Sequence, residues 1–261
     1  MPPDFLCIGA HKAGTTWLHQ MLGLHPDIGL PAAKELHFWN KGWPAGKPIS
    51  SYEQVFFGID RPIKGEITPA YAILPQDTIR VIHDHYPELR LIYILRNPLE
   101  RAWSHARMGY SKYFDDAPAD IVHSQHDWFV EHFHCEDSRL RGDYETCIRN
   151  WLAVYPEQQM LIRVQEEIVT DPAGFLKECC AFIGARTDFF ATFAAASLEE
   201  RIYPETAMHG SRPSALPRDI PDSLIAPLVE MYTPKIASLS DYMHRDLAGL
   251  WLAPYRARLK P

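Results

Sequence analysis

The sequence predicts a three-layer α/β fold, with a central, largely parallel sheet and helices on both faces. Two observations carry that prediction. Apolar runs of strand length alternate with longer segments of helical period, as parallel strands joined by crossover helices require. The chain has 261 residues, 46% of them hydrophobic, enough for a single domain over 1–261 to bury its core without staples.

Each element has a local reason. Residues 4–8 read as a buried strand between Pro and Gly, and 15–24 as a helix with Trp17, Leu18, Met21 and Leu22 on one face, stopped near His25-Pro26. A short strand at 28–30 precedes the segment 34–39, which falls at a carboxyl strand end, where open α/β sheets place ligand groups. A short helix is expected over 50–57, a strand over 63–68, a loop over 68–71 and a helix over 75–86. Residues 89–95 form the best central strand, and Asn97, Pro98 and Glu100 then supply a cap, a first position and a first-turn acid for the next helix. Residues 109–140 are polar, aromatic and histidine-rich, with a helix around 119–133, and read as a lid on the acceptor side. Helices are expected at 144–155 and 172–183, a strand at 160–164, and a proline-broken loop at 199–219. The helical pattern over 222–239 is interrupted by Pro227 and Pro234.

Composition narrows the classes of partner. A formal net charge of −7 argues against a broad surface for nucleic acid or another polyanion. No apolar run reaches the ~18–20 residues of a membrane span, and the N-terminus has no secretory pattern. Cys7, Cys135, Cys147, Cys179 and Cys180 are an odd set without CxxC spacing, which fits a reducing, cytoplasmic setting. Monomer and homodimer both remain open.

The most informative stretch runs from Phe5 to Leu22. An apolar strand ends at Gly9, the turn Ala10-His11-Lys12-Ala13-Gly14 follows, and a helix opens at Thr15-Thr16-Trp17. A helix N-terminus offers backbone N–H donors and positive potential, so this geometry suits an anion. In a Walker A loop the lysine follows the last glycine; here Lys12 comes two residues before Gly14. A second anion element lies at Arg96, after the central strand, with Ser104 eight positions on: a guanidinium fork and a hydroxyl suited to a terminal phosphate.

The loop from Gly9 to Trp17 resembles the 5′-phosphosulfate loop of the sulfotransferases that use 3′-phosphoadenosine-5′-phosphosulfate (PAPS), and Arg96 with Ser104 resembles their 3′-phosphate motif. Lys34-Glu35-Leu36-His37-Phe38-Trp39 is similar to the Glu-x-His-Phe-Phe stretch of the heparan sulfate glucosaminyl sulfotransferases, and Gly65-Glu66-Ile67-Thr68-Pro69-Ala70-Tyr71 to their Glu-Lys-Thr-Pro-Ala-Tyr. The likeness runs in order over roughly 5–110 and returns more loosely at 144–184 and 232–251, in patterns shared with small bacterial sulfotransferases. Two departures stand out. Ile67 occupies the position of a substrate-side lysine, and no cysteine-closed hairpin is seen near the C-terminus.

This resemblance implies a P-loop-like fold, PAPS as donor, 3′-phosphoadenosine 5′-phosphate (PAP) as product, no metal requirement, and in-line transfer to a hydroxyl or amine of a saccharide or other small acceptor. It implies cofactor contacts from His11, Lys12, Ala13, Gly14, Thr15, Thr16, Trp17, Arg96 and Ser104, with Ser211 and Arg212 on a late closing loop. Lys12 assists the leaving phosphate; Glu35 is the expected base, with His37 as helper or as base itself. Two other classes fit parts of the sequence: a P-loop-type nucleotide kinase, which lacks a clear Walker B acid here, and a non-catalytic nucleotide-binding protein of the same fold. His105, His123, His126, His132 and His134, with Cys135 and Glu136, include ligand-like spacings but no closed four-ligand pattern, and no metal site is expected. Trp128, Phe129 and Phe133 read as packing; Trp39 and Trp43 suit either a ring-stacking platform or the core.

Overall fold

The structure, a computed structural model, describes residues 2–113, 121–193, 198 and 216–259. The chain divides into two compact units, Met1–Arg96 with Cys147–Pro204, and Asn97–Thr146 with Glu205–Pro261.

The first unit holds a five-stranded sheet built from β1 (Phe5–Gly9), β2 (Ile28–Gly29), β3 (Ile63–Ile67), β4 (Arg90–Leu95) and β5 (Met160–Val164). The order is β2-β3-β1-β4-β5, and every pair is parallel. All of β1 is buried, and so is β4 beyond Arg90, because strands covered on both faces must be apolar on both. Helix α1 (Thr15–Leu24) carries the chain from β1 toward the β2 edge, whereas α3 (Gln76–His85), which follows the short α2 (Ile49–Glu53), carries it from β3 past β1 to β4. Right-handed crossovers in opposite directions put α1 and α3 on opposite faces, as expected from the sequence. The register pairs Phe5 with Gly65, and a side chain on Gly65 would overlap the Phe5 ring. The chain thus turns both ways from β1, whose carboxyl end is the switch point where open sheets bind ligands.

The second unit is helical: α4 (Pro98–Tyr113), α5 (Ile121–Ser124), α6 (His126–His134), α7 (Glu136–Arg141), the start of α8 (Tyr144–Leu152), and, beyond the first unit's α9 (Gln165–Thr170) and α10 (Pro172–Ile183), the late helices α11 (Asp222–Met243), α12 (Leu247–Trp251) and α13 (Ala253–Arg258). Arg101 is fully buried here and donates to the Ser138 carbonyl (2.8 Å) and the Tyr232 hydroxyl (3.0 Å). Phe129 and Phe133 are core, as read from the sequence.

Three expectations change. Helix α11 runs unbroken through Pro227 and Pro234. Pro227 leaves the Ser223 carbonyl one turn back without its amide partner, and the His126 ring takes that carbonyl at 3.2 Å. The helix expected around 119–133 is two pieces, α5 and α6, parted at Gln125. The polar segment forming α9, which buries only Ile168, was not expected as a helix.

Candidate active site

The loop after β1 is held at both ends. Ala10 N–H donates to the Ile94 carbonyl on β4 (2.7 Å), and Ala13 N–H to the Ala10 carbonyl (3.2 Å). Lys12 has φ 70° and Gly14 φ 91°, both left-handed. Gly14 adopts this freely, while at Lys12 it costs about 1–2 kcal/mol, offset by outside support. Arg96 provides that support: its Nη1 donates to the Lys12 carbonyl at 2.8 Å. The first helical bond of α1 runs from Leu18 N–H to the Gly14 carbonyl (3.1 Å). The N–H groups of Thr15, Thr16 and Trp17 therefore lie ahead of any i−4 carbonyl in the helix and form its positive end. Lys12, Arg96 and this helix terminus together suit a phosphate or sulfate ester.

The remaining expected contacts divide. His11 and Thr16 are half-buried at the loop, and Ala13 and Thr15 are buried. The Trp17 side chain is 1% exposed, donates its indole N–H to the Leu198 carbonyl (3.2 Å) and packs edge-on against Phe175 on α10. It anchors α1 in the core, so its backbone N–H is the part available to an anion. Ser104 is half-buried on α4, in the second unit. Ser211 and Arg212, with most of the proposed closing loop, lie outside the described residues. Gln165, unremarked in the sequence, stands where a Cβ on Gly14 would be 3.8 Å from its Nε2, so the start of α9 borders the loop.

Glu35 sits between two cations or would-be cations. Its Oε1 is 3.3 Å from Lys34 Nζ and its Oε2 3.3 Å from His37 Nε2, while His37 Nδ1 is 3.2 Å from Asn40 Oδ1. His37 is left-handed, with φ 53°, and opens a single π-helical turn at Phe38–Gly42. The segment is tied to the central strand: Leu36 N–H donates to Thr68 Oγ1 (3.1 Å), and Thr68 N–H to the Cys7 carbonyl (3.1 Å). The charges of Lys34 and Glu35 reach Cys7 on β1, and that of Lys34 reaches His19 on α1. Burial, aided by Lys34, presses His19 down to about 4, and burial pushes the Cys7 thiol up to about 12, so both are neutral near pH 7. Lys34 and Glu35 are thus within electrostatic reach of β1, and Lys34 of α1, the strand and helix that flank the loop.

Beneath this segment is a residue with no assigned role in the sequence reading. Glu66, on β3 and 2% exposed, accepts from Tyr52 OH (2.7 Å) and Tyr71 OH (3.0 Å) on one oxygen and from Thr68 OH (2.8 Å) on the other. Burial raises its carboxyl to about 7, against the pull of those three hydroxyls. Trp39 is fully buried among Phe38, Tyr52 and Tyr86, which decides for the core; Trp43 is half-buried 6.0 Å from it.

In the second unit, His105 lies 3.6 Å from Asp137, with its ring 5.0 Å from that of His132, and burial holds His105 near 3. Among the described residues no group of three or more His, Cys, Asp or Glu is placed to hold a metal ion. Nor, among them, is any helix long and apolar enough to cross a membrane.

The sulfotransferase domain model matches residues 2–202. Human heparan sulfate glucosamine 3-O-sulfotransferase 6 is 29% identical over 89% of this chain and 69% of its own length, and the chain spans 53% of its mouse counterpart. A sulfotransferase from Alicyclobacillus acidocaldarius shares the fold with a TM-score of 0.69 and 25% identity, covering 95% of this chain and 98% of that one. A mouse sulfotransferase complexed with PAP follows at 0.55 and 18%, covering 93% and 88%. With more than half its length matched by the family model, the chain belongs to the sulfotransferase domain family, and its reaction is PAPS-dependent sulfuryl transfer.

Proposed function

We propose that this enzyme sulfates a hydroxyl, or an amine, of a neutral or weakly charged saccharide or other small acceptor, with Glu35 as base and no metal requirement. When bound, PAPS supplies the activated sulfuryl group and leaves as PAP. Lys12, Arg96 and the N-terminus of α1 fit its phosphate groups by charge and by donor type. Ser104, and Ser211 with Arg212, enter by the family resemblance alone.

Glu35 carries this reading, because it is a half-buried carboxylate between Lys34 and His37, on a segment tied through Leu36 and Thr68 to Cys7 of β1. His37 Nδ1 faces Asn40 Oδ1 at 3.2 Å, and its Nε2 lies 3.3 Å from Glu35 Oε2. The Glu35 carboxylate can then take the proton of an acceptor hydroxyl as its oxygen attacks the sulfur in line with the departing phosphate, with His37 placed to help hold it. Lys12 and the loop N–H groups meet the charge that develops on that phosphate. The relatives named above act on heparan sulfate glucosamine, a polyanion. Here the formal charge is −7, and buried Ile67 stands at the resembling lysine position, so weakly charged acceptors are favoured.

Labelled-sulfate transfer from PAPS, run across neutral sugars, phenols, alcohols and heparan fragments, tests the proposal. Transfer to a neutral acceptor supports it; a preference for heparan fragments overturns the acceptor class. AMP binding as tightly as PAP would overturn the nucleotide assignment.

A further inference from the structure

We propose that Glu66 is a positioning residue for the transfer: through the hydroxyls of Thr68 and Tyr71 it fixes the backbone on both sides of His37, and with it the Glu35–His37 pair. This rests on the reading of Glu35 as base.

A hydroxyl has one proton, and what it does with that proton decides what its oxygen can accept. The Thr68 and Tyr71 hydroxyls both commit theirs to Glu66, at 2.8 and 3.0 Å. Their oxygens are then oriented to receive backbone amides. Thr68 Oγ1 takes Leu36 N–H at 3.1 Å, and the Tyr71 oxygen takes Phe38 N–H at 3.0 Å. These amides flank His37, the residue in the left-handed conformation whose ring meets Glu35. The third donor, Tyr52, bonds Glu66 at 2.7 Å and stacks on the Phe38 ring, with centroids 4.9 Å apart, so the same carboxylate also fixes the aromatic wall behind the turn. Glu66 is buried and acts through these hydroxyls rather than by touching a substrate. A buried carboxylate meeting three donors is satisfied and costly to disturb, which makes it a stiff reference point.

Thr68 gives the sharpest test, because Thr68→Val removes the hydroxyl at nearly constant shape while Thr68→Ser keeps it. Turnover is read as PAP released from PAPS with neutral sugars, phenols and alcohols as acceptors, alongside PAP affinity and melting temperature. Misplacing a base by a fraction of an ångström to one ångström costs up to ~100-fold, so Thr68→Val and Glu66→Gln are expected to lower kcat about 10- to 100-fold. In Glu66→Gln an amide donor replaces an acceptor and turns the Thr68 hydroxyl away from Leu36. PAP affinity should stay near wild type in both, and Thr68→Ser should recover most of the turnover. Wild-type kcat in Thr68→Val, or equal losses in Thr68→Val and Thr68→Ser, overturns the inference. Glu35→Gln, run in parallel, separates the two levels. Lost turnover there with an unaffected Thr68→Val removes the role of Glu66 alone, whereas full turnover in Glu35→Gln removes both that role and the base assignment.

Discussion

The phosphate loop follows β1 and the Glu35 segment is tied to the same strand through Thr68, but the two are built from different materials. The loop offers backbone: N–H groups at the start of α1, a left-handed Gly14, and one lysine whose own carbonyl is pinned by Arg96. The Glu35 segment offers side chains, and their places are set by a buried carboxylate that accepts from three hydroxyls. A backbone site tolerates side-chain change except at its glycine and its cations. A side-chain site resting on a buried network fails when any hydroxyl in the chain of support is lost. The difference teaches where substitutions should be silent and where they should not.

The largest effect that would sharpen this contrast is at Glu35. Glu35→Gln should lower kcat by about 100- to 10,000-fold, the range for a lost general base, and leave PAP affinity unchanged by calorimetry. Next, Lys12→Ala should lower kcat about 100- to 1,000-fold, as for a lost donor at developing charge, in a protein that melts normally. Near-normal turnover in either would break the division of labour between the two regions. Arg96→Ala should act on binding first. Losing a charge-assisted bond is worth about 1.5–3 kcal/mol, and here the same side chain also supports the Lys12 carbonyl. PAP affinity should fall at least 10-fold, and unchanged affinity would show that Arg96 serves the loop alone.

The two regions also differed in how far they could be read from sequence. The loop was legible because its elements are contiguous: an apolar run, small residues, a lysine, then a helical period beginning at Thr15, the first residue of α1. Arg96 was legible from its place after β4, yet its bond to Lys12, 84 residues away, was not. Trp17 was legible as part of the apolar face of α1, but its indole bond to the Leu198 carbonyl, 181 residues away, was not. Glu66 stayed hidden for a physical reason. Its partners at 52, 68 and 71 converge only once β3 and the Tyr71 turn are folded, and a lone acid in a strand reads as exposed. The unbroken α11 was hidden likewise, because the ring of His126 that takes the Ser223 carbonyl comes from 97 residues away.

The smallest effect tests the buried network through stability rather than rate. Glu66 has a folded pKa raised from 4.5 to about 7, chiefly by burial. Between those values the folded protein holds a proton that the unfolded chain has released. This carboxyl's contribution is therefore complete below about 4.5 and is lost as pH rises through about 7. The slope cannot exceed about 1.4 kcal/mol per pH unit for one proton. Comparing urea midpoints of wild type and Glu66→Gln from pH 4.5 to 8 isolates it, because Glu35, His37 and the other titrating groups are present in both. Their difference should change across that window and level off above it. A difference independent of pH would mean that Glu66 is ionised throughout, already satisfied by its three hydroxyls, and the network would then be as rigid at acid pH as at neutral pH.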